Sequence, residues 1–292
     1  MLGKLFKHEM RATARTFLWL YIAFAAIAVV SAVVAPWSPL VSGSSSFSPY
    51  GSEDVTNTVP GALQVVMFVL YTLAVVAMGI VTIVVIILRF YRNLLGDEGY
   101  LMMTLPVSRE EHILSKLLAA VIWSVCTTII ILLSILLFIT VSGHFGEMVN
   151  GISESIRMGL PIGSWVSMFV LIIIVGIISS ILMLYAAMAI GPNLLKNRVG
   201  GSILAYIIIY VASQFVTAGV MLIWVRPMMN SATSLSAFDP GSDMTEAYLN
   251  GVSNISSMIH AVSWMSVISC VIIGVVCWFL TQYMLKKKLN LA

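Results

Sequence analysis

The chain has 292 residues, 60% of them hydrophobic and 9% charged, with a formal net charge of +3. Soluble domains carry about 25% charged and 45–50% apolar residues, so this composition and a mean hydropathy of +1.04 exclude a water-soluble globular protein. The chain reads as an all-α integral membrane protein, and no nucleic-acid partner is expected.

Residues 1–15 read as an amphipathic helix. Leu2, Leu5, Phe6, Met10 and Thr13 fall on one face, and Lys4, Lys7, His8, Arg11 and Arg15 on the other. Such a helix lies in the headgroup plane with its apolar side toward lipid. Membrane lipid is therefore an expected partner, with Lys4, Lys7, Arg11 and Arg15 as the interfacial cations. No Asp, Glu, Lys or Arg occurs in 16–52, 55–88, 117–146, 158–195, 199–225 or 247–285. Each window holds at least about 20 apolar-dominated residues, enough to cross a hydrocarbon core about 30 Å thick. Six spans follow, at about 16–35, 61–91, 117–141, 162–190, 201–225 and 257–285, within one transmembrane domain covering 1–292.

Between the first two spans lies a Ser/Pro/Gly-rich loop without Lys or Arg. The second span reaches about 42 Å over 61–88 at about 1.5 Å per residue, so it tilts or projects from the bilayer. The stretch after it, 92–116, contains GDEGYLMMTLPVSREEHILSK and is too charged for hydrocarbon. It also holds four of the five acidic residues on the side richest in Lys and Arg. Within it, Tyr100 to Leu105 read as a short helical turn that Pro106 ends, because proline lacks an N–H and its ring clashes with the preceding backbone. Ser108 and Glu111 form a capping box that starts a new helix running directly into the third span. The plainer alternative is a charged loop that only sets topology.

A short loop carrying His144, Glu147, Glu154 and Arg157 follows the third span. Gly191-Pro192-Asn193 is expected to end the fourth span, and Arg226-Pro227 the fifth. In the polar loop 226–256, Asp243 and Glu246 suggest a short helix over 243–250. The three cysteines, Cys126, Cys270 and Cys277, lie inside apolar runs. They have neither disulfide-framework nor metal spacing and read as small buried hydrophobes.

Four segments hold 13 of the 15 Lys and Arg: the N-terminus, the loops after spans two and four, and the C-terminus. The positive-inside rule then puts both termini and 92–116 in the cytoplasm. The expected location is the cell membrane, crossed six times, in a bacterium.

No H-E-x-x-H, G-x-S-x-G or P-loop pattern occurs, so the chain is not expected to be an enzyme, to hold a metal or to bind nucleotide. His260 in the sixth span is more simply a hydrogen-bonding partner than a ligand. Ion-coupled carriers usually place ionisable groups at the bilayer midplane, and these spans have none there. If the protein moves a solute, the energy is expected to arrive through cytoplasmic contacts. Gln214 is the one large amide deep in a span, with Ser213, Thr217 and Tyr185 as further polar candidates for a pathway lining. Interhelical hydrogen bonding is the alternative use of these residues, and the small pairs Gly176/Ser180 and Ser213/Thr217 suggest packing faces.

Glu98-Gly99-Tyr100-Leu101, then Leu105-Pro106-Val107-Ser108, then Lys116 resemble the cytoplasmic coupling segment of type-2 ABC exporter permeases. Leu105 stands where that family often has Thr, and the residue-level likeness covers about 20 positions. The basic amphipathic start, six spans and cytoplasmic termini resemble the family across the chain. The resemblance implies a permease subunit that pairs with a second permease, identical or not. It would be energised by separate ATP-binding cassette subunits that carry the ATP and Mg, this chain binding no cofactor. The implied ATPase contact is Asp97, Glu98, Gly99, Tyr100, Leu101, Met103 and Pro106. The largely uncharged interior suits export of a lipid, drug or antimicrobial peptide. Two other readings remain open: a substrate-capturing membrane subunit of a vitamin importer, and a channel or structural membrane protein without an ATPase.

Overall fold

A computed structural model of the chain describes residues 2–34, 58–91, 109–141, 145–194, 198–235 and 244–288. Seven helices make up these residues: α1 (Leu2–Val34), α2 (Thr58–Phe90), α3 (Arg109–Val141), α4 (Phe145–Arg157), α5 (Ile162–Leu194), α6 (Arg198–Leu235) and α7 (Met244–Lys288). No strand occurs among the described residues. All but α4 are long and apolar enough to cross a membrane, so the protein is all-helical with six candidate spans.

The helices gather into two compact units, the first built on α1, α2 and α3 and the second on α5, α6 and α7. In the first unit α1 packs on α3 and, less extensively, on α2. Its buried stripe reads Glu9, Thr13, Phe17, Phe24, Ala28 and Ala32, at steps of four or seven residues that keep one helix face turned inward. In the second unit α5 lies against both α6 and α7. Its C-terminal half is buried almost all round, from Ile181 through Ala189. Small residues permit close packing there, which matters because lipid tails supply no hydrophobic drive between helices. Gly274 of α7 passes Ser179 and Leu182 of α5 at ordinary van der Waals distance from where a Cβ would sit.

Several boundaries differ from those read in the sequence. The interfacial helix expected over 1–15 and the first span are one continuous helix. No proline and no glycine after Gly3 interrupts 4–34, so nothing breaks the backbone ladder at Thr16. Gly191 and Pro192 do not end α5, which runs on to Leu194 with Pro192 inside it. A proline in a final turn forfeits one hydrogen bond, and packing offsets this. Likewise α6 extends past Arg226-Pro227 to Leu235, and the short helix expected over 243–250 is continuous with the last span in α7. The loop after α3 contains a 13-residue helix, α4, that the sequence reading left as a loop. Its apolar residues Phe145, Val149, Ile152 and Ile156 recur at helical spacing and are exposed. α4 ends at Gly159, whose φ is +80°. The Gly159 N–H donates to the Ile156 carbonyl and the Leu160 N–H to that of Ser155, the paired bonds of a Schellman end.

The tightest backbone approach is between α5 and α6. A Cβ on Gly201 would collide with the Gly191 carbonyl, and one on Gly191 with the backbone of Ser202. Gly176 is different, because nothing lies within 4 Å of its Cβ position. Among the described residues nothing packs against Gly176, and Ser180 is exposed. Gly201→Ala is expected to lower stability by about 1–3 kcal/mol or more through forced separation of α5 and α6. Gly176→Ala should be neutral or up to about 1 kcal/mol stabilising. Thermal unfolding of the two purified variants in mild detergent compares them directly, and equal melting temperatures would contradict the close approach.

Candidate functional site

The densest chemistry in the described residues lies where α1 begins, α2 ends and α3 begins. Glu9 sits two turns into α1 and is 3% exposed. Its Oε2 accepts a hydrogen bond from Arg89 Nε at 2.5 Å, and Arg89 Nη2 makes a second contact with the same oxygen. Its Oε1 accepts from Lys116 Nζ at 2.9 Å. Arg89 Nη2 also donates to the Glu9 carbonyl at 2.7 Å. One carboxylate thus holds the last turn of α2 and the second turn of α3 onto α1. The Lys116 side chain is 4% exposed and that of Arg89 21%, so the cluster opens to its surroundings on the Arg89 side.

A polar seam continues from this cluster along α1. Thr13 Oγ1 donates to the Glu9 carbonyl at 2.8 Å and accepts from Trp123 Nε1 at 2.9 Å. Phe17 stacks on Trp123 with ring centroids 4.5 Å apart and planes 7° from parallel. The Tyr21 hydroxyl donates to the Trp123 carbonyl at 3.3 Å and lies 3.1 Å from Thr127 Oγ1. Thr82 of α2 approaches the same Thr127 hydroxyl at 3.4 Å. Further along, the Tyr71 hydroxyl of α2 meets Ser134 Oγ of α3 at 2.8 Å. Among the described residues, Trp165 Nε1 is the one buried side-chain polar atom without a hydrogen bond, so every buried polar group of the seam is satisfied. Satisfied networks in a low-dielectric setting rigidify and specify one arrangement.

This arrangement is a network of ion pairs and hydrogen bonds that fixes the mutual geometry of three helices. No group of three or more His, Cys, Asp or Glu that could hold a metal occurs among the described residues. His260 of α7 is within 3.1 Å of Ser164 Oγ of α5, a hydrogen bond between two helices of the second unit. Cys277 is buried, and Cys126 and Cys270 are half-buried; all three are free thiols.

The residues singled out from the sequence fall in several places. Asp97, Glu98, Gly99, Tyr100, Leu101, Met103 and Pro106 lie outside the described residues, as do Ser108 of the capping box and the side chain of Lys4. Lys7, Arg11 and Arg15 are exposed along α1. Of the four pathway candidates, Tyr185 is 2% exposed and Ser213 9% exposed, whereas Gln214 and Thr217 are exposed. The structure therefore brings no common lining together from these four. Ser213 Oγ donates to the Tyr210 carbonyl at 2.7 Å and Thr217 Oγ1 to that of Ser213 at 3.0 Å, so both hydroxyls bond within their own helix.

Glu9 is the residue that sequence reasoning missed. The signal was there: it is the sole acid among the first 15 residues, and it shares the i, i+4, i+8 stripe of Thr13 and Phe17. Glu9→Gln removes the charge that buried Lys116 and half-buried Arg89 share, and breaking a buried pair costs about 3–5 kcal/mol. Lys116→Met should cost less, because Arg89 keeps its carboxylate. Replacing all three residues by apolar ones of similar volume should recover much of the loss. Unfolding in mixed micelles of SDS and dodecyl maltoside ranks the variants. A Glu9→Gln protein within about 1 kcal/mol of the parent would refute the shared-carboxylate account.

The chain matches no family model, no curated protein and no solved structure.

Proposed function

We propose that this chain is the membrane-spanning permease subunit of an ATP-binding cassette exporter, driven by a separate ATPase that docks on residues 97–106. The observation that supports it most is the shared carboxylate of Glu9. Residues 92–108 connect α2, which carries Arg89 in its last turn, to α3, which carries Lys116, and both side chains close on Glu9. In this reading a push arriving at the ends of α2 and α3 is shared with α1 through Glu9. Such a linkage suits a protein whose energy arrives at one membrane face. The location that goes with this reading is a bacterial cell membrane, with both termini and the connecting segment cytoplasmic.

Within it, Asp97 and Glu98 offer charge and Tyr100, Leu101 and Met103 apolar surface to a groove on the ATPase. Lys7, Arg11 and Arg15 face anionic headgroups beside it. The cargo is a hydrophobic or amphipathic molecule, because the spans offer no charge at midplane to match a strongly charged solute.

The test is isolation of this chain from its native membranes with any ATP-binding cassette subunit that copurifies, followed by reconstitution of the two. The double variant Glu98→Lys, Leu101→Asp should insert normally yet lose substrate-stimulated ATP hydrolysis by at least about tenfold, the size of a 1.4 kcal/mol loss in coupling. Glu9→Gln should retain ATPase binding while lowering the stimulation. Full stimulation in the double variant would overturn the docking assignment. A small molecule copurifying at one per chain, with ATPase contact only through a third subunit, would favour the importer reading.

A further inference from the structure

The helix α4 is apolar on one side and charged on the other. At about 100° per residue, Phe145, Val149, Ile152 and Ile156 fall within one narrow stripe. Glu147 and Glu154 fall on the opposite side. No residue of α4 is buried, and all four side chains of the stripe are exposed. A helix of 13 residues is marginal on its own in water, where isolated helices shorter than about 12–15 residues seldom hold. Its pattern calls for an apolar medium along one side.

Chain length fixes where that medium is. Three residues separate α4 from the end of α3, and four separate it from the start of α5. Both neighbours are candidate spans, Ile113–Val141 and Ile162–Pro192, so both ends of α4 are tied to the same membrane face. The helix is about 20 Å long at about 1.5 Å per residue. Standing away from the membrane, it would carry its far end about that distance out, whereas four residues reach at most about 14 Å when fully extended. Residues 158–161 are not extended. The Gly159 and Leu160 N–H groups bond back to the Ile156 and Ser155 carbonyls, and the Ile162 N–H donates to the Leu160 carbonyl. Entry into hydrocarbon is excluded in turn, because Glu147, Glu154 and Arg157 would be carried with the helix. α4 therefore runs along the membrane face. A two-sided helix in that place sinks its apolar side about 5–10 Å into the boundary between headgroups and acyl chains.

We propose that α4 is a membrane-surface anchor whose partner is the lipid bilayer, with Phe145, Val149, Ile152 and Ile156 among the upper acyl chains and Glu147 and Glu154 in water. Lipid is the occupant because it is the apolar phase that already borders both span ends, whereas a protein would have to be brought there. The contact is apolar and not ionic, since α4 carries two acids against one cation, Arg157. One span separates α4 from residues 97–106, so the anchor lies on the opposite membrane face. Its failure leaves the docking of those residues standing, and the converse holds.

The test uses single cysteines at Ile152 and Glu147 in the full chain, with the three native cysteines replaced by alanine. Each is labelled with an environment-sensitive fluorophore in phosphatidylcholine vesicles. A spin label high on the acyl chain should quench the Ile152 label severalfold more than the Glu147 label. Iodide, present on both sides of the vesicle, should quench it severalfold less. A benzophenone amino acid at Ile152 in the otherwise native chain should add the mass of one lipid on illumination, a reading that needs no cysteine replacement. Iodide reaching both labels equally would overturn the proposal. So would an Ile152 label sheltered from lipid and iodide alike. A benzophenone crosslink to this chain, to a second copy or to another protein would do the same, because protein would then cover the stripe.

Discussion

A carboxylate shared by two cations holds the first three spans in place. Glu9 receives Arg89 and Lys116 from helices whose sequence positions are 80 and 107 residues away. In water such a cluster would contribute little, because exposed pairs are worth about 0–1 kcal/mol. Here all three groups are wholly or largely withdrawn from solvent, so their separation would strand charge in a medium that cannot solvate it. The consequence is geometric. Three mostly apolar helices could otherwise slide and rotate against one another at small cost, since lipid and leucine are nearly equivalent neighbours. Pinning their ends at one carboxylate sets depth and rotation together. The Thr13–Trp123 and Tyr21–Thr127 bonds then hold that rotation along the next three turns.

The second unit answers the same packing problem by other means. Ser164 and His260 link two of its helices by a hydrogen bond. It relies on backbone proximity: glycine faces glycine at the α5–α6 turn, and Gly274 lies over Ser179. Close contact gains dispersion energy that bulky side chains would prevent. The two strategies differ in what they permit. An ionic pin resists rotation and transmits displacement, whereas a small-residue contact tolerates modest sliding.

The exposed amide at Gln214 and the buried carboxylate at Glu9 are one rule seen from two sides. A polar group within a membrane helix is stable only where its partners are. Glu9 finds them inside the chain. Gln214 stands exposed on α6.

The amino-acid sequence by itself determined the class and the six spans, because hydropathy is summed residue by residue along each helix and needs no knowledge of neighbours. It also marked Lys116 and Arg89 as the ends of spans, since lone charges beside long apolar runs can hardly sit elsewhere. Helix ends were read less well. Pro192 and Pro227 look like stops in sequence, yet both lie within helices, because a proline forfeits one bond that packing can offset. Only the tertiary structure decided that Glu9 closes on both cations, that Tyr185 is buried while Gln214 is not, and that Gly201 and not Gly176 is the glycine pressed against backbone. Those outcomes depend on which faces of distant helices meet, and the nearly uniform apolarity of these spans hides the facing direction from any reading along the chain.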